Sequence, residues 1–269
     1  MIDIFRERCF GCTACSSICP QKAISFEEDQ LGFVYPVIDK TKCISCNLCE
    51  KRCPVQIYSS ISHTLPKQVY AARHISLKEV KTSRSGAAFI ALSDVVLKQG
   101  GTVFGASFVE GLKVKHIKTS NPHERDLLKG SKYVQSDMRG VIDEIIEELR
   151  AGNKVLFSGT PCQVAGLVSA VPKSLQTILY TLDIVCHGAP SPQLYKDYLT
   201  LLENKYGSKV LYFNFRDKSI NGWHDHKESA LLENGQKIVD KTYTNLFYTN
   251  CFFRDSCYAC PFANNADSL

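Results

Sequence analysis

The 269-residue chain is 44% hydrophobic and 22% charged, values typical of a globular protein and unlike those of disordered, collagenous or coiled-coil chains. It has no run of about 18 apolar residues and no apolar segment near Met1, so we expect neither a membrane span nor a secretory signal. The formal net charge of +5 is spread along the chain, which is weak evidence for nucleic-acid binding.

Thirteen cysteines are the unusual feature of the composition. An odd number without a signal sequence argues against the disulfide framework of a secreted protein. We therefore expect a cytoplasmic protein that binds metal through its cysteines. They fall into an N-terminal group of eight (Cys9, Cys12, Cys15, Cys19, Cys43, Cys46, Cys49 and Cys53) and five later ones (Cys162, Cys186, Cys251, Cys257 and Cys260).

A C-x2-C-x2-C-x3-C-P motif begins at Cys9 and again at Cys43. Three thiolates at this spacing bind three irons of one cubane, and the fourth cysteine reaches the other cluster. The repeat predicts two [4Fe-4S] clusters with crossed ligation, and Gly11 leaves room for close backbone approach. The alternative ligand is zinc, which prefers two separated cysteine pairs. The predicted ligand sets are Cys9, Cys12, Cys15 and Cys53 for one cluster, and Cys43, Cys46, Cys49 and Cys19 for the other.

Between the motifs, residues 23–26 and 34–37 predict a pair of strands. Residues 1–56 as a whole resemble a bacterial-type dicluster ferredoxin domain, which moves electrons one at a time. The following polar stretch, residues 57–68, contains Pro66 and lacks periodicity, so we predict a linker there. A ferredoxin head implies that the rest of the chain holds a redox site or docks on one.

Apolar strands and amphipathic helices alternate after the linker. This order predicts an α+β ferredoxin-like head followed by an α/β domain with a mainly parallel or mixed sheet. The chain has neither a G-x-G-x-x-G nor a P-loop motif, so no standard nicotinamide or nucleotide site is indicated. The predicted strands are 69–73, 102–109, 114–118, 154–158, 177–185, 210–216 and 228–232, and the predicted helices are 86–98, 139–150, 162–170 and 192–206.

Cys162 and Cys186 each follow one of two consecutive predicted strands. Such strands usually lie side by side, which places both thiols at the carboxyl edge of the sheet. Cys162 also begins a helix, where thiolate is stabilised. With the Cys257–Cys260 pair they are candidates for a third cluster. The alternatives are small core residues, or a zinc or redox site at the pair alone, while Cys251 is either a substitute ligand or a buried thiol.

Several later stretches resemble the beta-subunit family of coenzyme F420 hydrogenases and dehydrogenases. They are Ser85–Gly86, Gly101–Phe108, Gly130–Ser136, Leu156–Leu167, Asp183–Pro192, Phe215–Lys218 with Gly222–Trp223, and Arg254–Phe262. The resemblance implies a catalytic domain over residues 69–269 that binds FAD and a [4Fe-4S] cluster. The flavin contacts that it implies are Ser85, Gly86, Gly130, Ser131, Lys132, Ser158, Gly159, Thr160 and Gln163.

Chemistry agrees with part of that set, because glycine-rich turns expose backbone N–H groups to a pyrophosphate and Lys132 adds a charge. Taken singly, each of these residues also fits ordinary turn chemistry. Ala87 stands where family members often have glycine. Relatives usually continue beyond Leu269, so the domain is expected to be truncated there, which leaves the completeness of its flavin site open.

His187 is a candidate proton donor to flavin or substrate, and its alternative role is a hydrogen bond within a turn. The Trp-His-Asp-His segment at residues 223–226 fits a polar loop better than a metal site, with Trp223 structural or stacking on substrate.

These observations predict an iron–sulfur flavoprotein oxidoreductase. A ferredoxin or another redox protein would exchange electrons through the clusters and FAD with a small-molecule substrate, the deazaflavin coenzyme being one candidate. The alternatives are an electron-transfer subunit of a larger complex that has no flavin of its own, and a colourless zinc module. Three clusters of charge −2 would lower the formal charge to about −1, which removes the case for nucleic-acid binding.

Overall fold

The computed structural model describes residues 6–57, 68–222 and 225–263. The predicted linker lies almost entirely outside these residues, as do Trp223, His224 and the expected truncation at residues 264–269. Among the described residues, no helix is long and apolar enough to cross a membrane.

The N-terminal head is built on an antiparallel strand pair that places Ile24 opposite Ile38. This confirms the predicted pair. One short helix lies within each cysteine motif, and a third begins at the end of the second motif. The elements are β1 (Ile24–Glu28), β2 (Val34–Ile38), α1 (Ala14–Ser17), α2 (Leu48–Lys51) and α3 (Pro54–Ile57).

A four-stranded mixed sheet forms the centre of the remaining chain, in the order β4-β3-β5-β6. β4 runs antiparallel to β3, whereas β3, β5 and β6 are parallel to one another. This confirms the predicted α/β class with a mixed sheet. The elements are β3 (Thr102–Phe108), β4 (Val114–Thr119), β5 (Val155–Gly159), β6 (Leu179–Asp183), α4 (Leu77–Thr82), α5 (Ala88–Lys98), α6 (Val141–Arg150) and α7 (Pro161–Ala170).

Helices cover both faces of this sheet, and apolar side chains of its strands point alternately to the two faces. Phe104 and Phe157 pack with α6 and α7 on one face. Val103 and Leu156, one residue earlier in each strand, pack with α5 on the other. Side chains two residues apart share a face of a strand, so each buried strand needs apolar residues at successive positions.

A second, antiparallel sheet follows, in the order β7-β8-β9. Its helix α8 starts where the Ser191 hydroxyl accepts a hydrogen bond from the Leu194 amide at 3.0 Å and Pro192 occupies the first turn. The elements are α8 (Pro192–Tyr206), β7 (Val210–Asn214), α9 (Lys218–Asn221), β8 (Glu228–Leu232), β9 (Lys237–Asp240), α10 (Thr242–Tyr248) and α11 (Asp255–Tyr258).

One strand prediction is wrong. Residues 69–73 form no strand, and Val69 and Tyr70 are 83% and 75% exposed because no neighbouring strand covers them. The predicted strand 177–185 contains β6, which lies at one edge of the central sheet. Val185 beyond its end is 96% exposed.

The head and the central sheet share one buried core. Cys12 and Ala14 belong to the same apolar cluster as Met138 and the helices α6 and α7. The Thr13 hydroxyl donates a hydrogen bond to the Met138 carbonyl at 3.0 Å. The head is therefore packed against the sheet domain and not merely tethered to it.

Candidate metal centres and cofactor site

Four thiols of the head surround one small cavity. Its lining includes Cys9, Cys12, Cys15 and Cys53 and contains no histidine or carboxylate. All four cysteines are buried. The last cysteine of the second motif thus lies with the first three of the first motif, which is the juxtaposition that crossed ligation requires.

The other head cysteines form a more exposed group. Burial raises the pKa of Cys49, and the nearby Cys19 and Cys46 raise it further through their charges. Cys46 is exposed, while Cys43, Cys19 and Cys49 are half-buried. One side of this group therefore faces the surface.

The thiols suit a cubane better than a single ion. Among the described residues, no three His, Cys, Asp or Glu side chains are placed to hold one metal ion. A tetrahedral zinc needs sulfurs within about 4 Å of one another, given Zn–S bonds of about 2.3 Å. A cubane instead offers each thiolate a separate iron, so the thiols stand further apart around it.

The later cysteines converge at the carboxyl edge of the central sheet. β5 and β6 pair in register up to Gly159 and Asp183, confirming that the strands before Cys162 and Cys186 are neighbours. The Ala189 amide lies 3.4 Å from the Cys257 sulfur, and an isolated bridge joins Pro190 to Phe253. These contacts bring the segment carrying Cys257 and Cys260 beside Cys186.

Burial opposes ionisation of the Cys162 thiol. It raises the pKa of Cys162 to about 12, and the neighbouring thiols Cys186, Cys257 and Cys260 add to the effect. Desolvation thus acts against the stabilisation of thiolate that is expected at a helix start. Metal binding displaces the proton from such a thiol.

Cys251 stands apart from this group. It is exposed, and its sulfur lies 3.4 Å from the Thr249 carbonyl. The prediction of a buried thiol is therefore wrong, because Cys251 sits in the turn after α10, where Asn250 adopts a φ of 61°.

The buried head group and the later group are direct neighbours. Cys162 and Phe262 pack against a buried cluster that contains Phe10 and Cys53. The rings of Phe10 and Phe262 meet edge to face at 5.7 Å. An iron–sulfur cluster at the buried head group and another at the later group would thus be separated by one layer of side chains.

A buried arginine joins the two groups. Arg254 is 1% exposed and donates hydrogen bonds to the carbonyls of Cys9 and Val34 and to the Gln135 side chain. Its guanidinium also stacks 4.2 Å from the Tyr35 ring centre. From the sequence, Arg254 is only the first residue of the stretch Arg254–Phe262 that resembles the beta-subunit family, and no role was predicted for it.

Gly11 is required by this arginine. Its φ is +67°, and an added Cβ would lie 2.9 Å from a guanidinium nitrogen of Arg254. A close approach at Gly11 is therefore made by Arg254, whereas the approach of this backbone to a cluster stays a prediction.

Four of the implied flavin contacts lie in one network at the end of β5. Gln163 accepts a hydrogen bond from the Thr160 amide at 2.9 Å and donates to the Ser136 hydroxyl at 3.0 Å. Ser136 in turn donates to His116, whose other nitrogen donates to the Ser158 carbonyl at 3.0 Å. The network holds the turn containing Gly159 against the segment that begins at Gly130. His116 and Ser136 were not predicted as site residues.

Lys132 lies in the same region without a carboxylate partner among the described residues. Its ammonium donates to the carbonyls of Leu127 and Lys129 and lies 5.9 Å from the Phe108 ring centre. Burial lowers its pKa to about 7. Gly130 has a φ of +80°, so a left-handed turn places Ser131 and Lys132 after it.

Ser85 and Gly86 lie in an unusual turn. Ser85, Gly86 and Ala87 have φ values of 47°, 66° and 60°. An added Cβ at Gly86 would meet the Ala72 carbonyl at 2.7 Å, so internal packing already requires glycine there. Ala87 adopts a left-handed conformation, which explains why glycine suits its position.

His187 fulfils the hydrogen-bonding alternative. Its Nε2 lies 2.8 Å from the Asn250 side-chain oxygen, and its ring lies 5.3 Å from that of Phe247. It follows Cys186 directly and is exposed. Its use as a proton donor stays a prediction.

Burial of His116 makes stability pH-dependent. Desolvation lowers its pKa from 6.5 to about 4, so below pH 6.5 the unfolded chain binds more protons than the folded one. We expect this residue alone to reduce the free energy of unfolding by about 1 kcal/mol between pH 7.5 and 5.5. Urea unfolding of wild type and of a His116→Gln variant measures this, the variant having the flatter profile. His123→Gln, at an exposed position, should keep the wild-type slope, and equal slopes in all three proteins would contradict the assignment.

Comparison with known families tests the sequence-based recognition. Residues 8–57 match the model of the 4Fe-4S dicluster domain. Residues 152–268 match the model for the C terminus of the coenzyme F420 hydrogenase/dehydrogenase beta subunit. Residues 152–268 are thus similar to this beta-subunit family. The sequence-based recognition is confirmed, and the dicluster match supports two [4Fe-4S] clusters within residues 8–57.

No curated protein matches the chain. Among solved structures, a match is found in the xenon-derivatised F420-reducing [NiFe] hydrogenase complex from Methanosarcina barkeri. The identity is 17% and the TM-score 0.47. The match covers 70% of this chain and 63% of the other, so the present chain spans less than two thirds of its length.

Proposed function

We propose that this chain is a member of the beta-subunit family and an FAD-dependent oxidoreductase with three [4Fe-4S] clusters, passing electrons between a ferredoxin-type donor and a small-molecule substrate. The observation that carries the proposal is the position of Cys162. Its sulfur lies 3.2 Å from the Thr160 hydroxyl, at the turn implied to contact flavin. The Cys162 side chain also packs against the buried apolar side chains of Phe10, Cys53 and Val55.

Separate groups of residues would bind the clusters, position the flavin and hold a proton. Bound clusters supply one-electron transfer, and bound FAD pairs electrons for a two-electron reaction. The crossed head cysteines would hold two clusters, and Cys162, Cys186, Cys257 and Cys260 a third. The turn from Ser158 to Thr160 and the segment after Gly130 would position the flavin. His187 would hold a proton at the edge of this region.

The exposed head group is the entry point that we propose for a redox partner. Cys46 is exposed, and beside it Ile44 and Leu48 are 60% and 41% exposed. Apolar side chains around a cluster suit the brief docking of another electron carrier. The buried group at Cys9 then stands between this surface and Cys162.

A second candidate function is an electron-transfer subunit that serves the flavin of a partner protein. The exposed edge at the end of β6 favours it. Ile184 and Val185 are 50% and 96% exposed directly before Cys186, which is an apolar surface suited to a partner subunit. Flavin content separates the two functions, because only the first requires FAD in this chain.

Exchanging single cysteines tests the third cluster. We expect Cys260→Ser to lower bound iron by about four per chain, since each cubane holds four irons. We expect Cys251→Ser to leave iron unchanged, because that thiol lies outside the group. Iron and acid-labile sulfide are measured on anaerobically purified protein. Equal iron in Cys260→Ser and wild type would remove Cys260 from the ligand set.

A further inference from the structure

Three basic side chains meet beside the turn at Ser85. The Lys218 ammonium donates hydrogen bonds to the carbonyls of Ser83 and, at 3.4 Å, Val80. This contact holds the loop after β7 against the residues that precede Ser85. Arg84 directly follows Ser83 and Arg216 lies two residues before Lys218, and both arginines are half-buried.

Nearby carboxylates do not neutralise the two guanidiniums. Within the described part of the chain, Arg84 and Arg216 are in no ion pair. Asp217 lies between Arg216 and Lys218 in sequence, but its carboxylate accepts from the Ser229 hydroxyl at 2.7 Å and pairs with Lys237 at 2.8 Å. The Asp217 carboxylate is thus engaged on the side of β8 and β9.

The three basic groups are close enough for their charges to act on one another. Burial lowers the pKa of Arg84 and Arg216 lowers it further, while the smaller effects of Tyr133 and Asp217 oppose this. The pKa of Lys218 is lowered to about 8, mainly by burial and to a smaller extent by the charges of the two arginines. Like charges held together in a partly buried place are unfavourable unless an anion joins them.

One buried polar atom beside these residues, the Ser83 hydroxyl, lacks a partner among the described residues, and Ser83 is 5% exposed. Buried polar atoms are nearly always hydrogen-bonded, so this hydroxyl points to a missing ligand or water. Arg216 and Arg84 also lower the pKa of His226 after the effect of burial, which places its ring near both.

A row of aromatic side chains extends from the three basic residues to the residues around Cys186. The ring of Tyr133 lies 5.0 Å from that of His226 and 4.7 Å from that of Phe247. Phe247 in turn contacts the ring of His187, which follows Cys186. Tyr133 itself follows Lys132, so the basic group adjoins the implied flavin contacts.

We propose that Arg84, Arg216 and Lys218 form an oxyanion site that binds a phosphate or carboxylate group of the ligand used at this redox centre. Arginine is suited to this because its planar guanidinium binds two oxygens at once. The assignment of the ligand to the redox centre rests on the proposed function, whereas anion binding itself does not. The oxyanion belongs either to the pyrophosphate of FAD or to the substrate.

Titration with inorganic pyrophosphate tests the site. The full chain is purified anaerobically and titrated by calorimetry as purified and after flavin removal. We expect Arg84→Gln and Arg216→Gln to weaken pyrophosphate binding at least tenfold, because each removes a charge-assisted hydrogen-bond donor. Arg216→Lys, which keeps the charge, should recover part of the affinity. Arg139→Gln is the control, since Arg139 is already paired with Asp137 and Glu28.

The outcomes separate the sources of the oxyanion. If pyrophosphate binds only after flavin removal and the arginine variants retain less FAD, the site holds the cofactor. If it binds with FAD in place and the variants keep their FAD, the site serves the substrate. Arginine-dependent binding in a chain that never contained FAD would support the anion site while contradicting the proposed function. Absence of binding to wild type in both forms, or equal binding by all variants at wild-type iron content, would overturn the proposal.

Discussion

Replacing Arg254 with methionine is expected to lower the free energy of unfolding by about 3 kcal/mol or more and to reduce the iron retained by the head. Three acceptors lose their donor: the buried carbonyls of Cys9 and Val34 and the half-buried side chain of Gln135. Each buried polar group left unsatisfied costs about 1–3 kcal/mol. The Cys9 carbonyl belongs to the cluster motif, so the loop that presents the thiols loses its support.

Arg6 provides a matched control for this substitution. Its guanidinium also lies 4.2 Å from the Tyr35 ring centre, but its side chain is 59% exposed and its ion pair with Asp29 is at the surface. Arg6→Met should therefore cost less than about 1 kcal/mol. Urea unfolding and iron analysis of both variants make the comparison. If the Arg254→Met protein is as stable and binds as much iron as the Arg6→Met protein, the hydrogen bonds of Arg254 do not stabilise the fold.

Replacing Gly166 with alanine is expected to disrupt the contact between the head and α7. An added Cβ would lie 2.6 Å from the Cβ of Cys12 and 2.7 Å from its sulfur, so either the helix or the motif must move. Alanine is ordinarily the better helix residue by about 1 kcal/mol, yet here we expect destabilisation by about 1–3 kcal/mol. Bound iron should fall by about four per chain, because Cys12 is a proposed ligand of one cubane.

The control for this change is Gly105→Ala in β3. There an added Cβ meets only the Leu128 side chain, at 3.4 Å or more, which is ordinary contact. Iron content and thermal unfolding are measured for both variants. If Gly166→Ala gains stability and keeps all of its iron, the head does not press on α7 as the structure indicates.

Much of the fold follows from local patterns. The helix α6 could be predicted because its apolar residues recur on one face. These residues are buried in the structure: Val141, Ile142, Ile145, Ile146 and Leu149. The pairing of β5 with β6 followed from their order along the chain. The cysteine repeat predicted the dicluster domain because its spacing matches cubane chemistry.

The rest depends on contacts between distant segments. The chain gives no local sign that Glu228 would accept hydrogen bonds from the Tyr243 and Thr244 amides and so begin α10. Likewise, the role of Gly166 depends on Cys12, and that of Arg254 on Gly11. The missed residues of the candidate site, His116 and Ser136, lie on separate segments that meet only in the folded chain.

The central claim is that one chain carries three cubanes and a flavin. Its most direct test is the content of iron, acid-labile sulfide, zinc and released flavin per chain in anaerobically purified protein. The account predicts about 12 irons and about one FAD, since each cubane holds four irons. About 8 irons without flavin would contradict it, and would leave a dicluster head on a domain that cannot carry out flavin chemistry by itself.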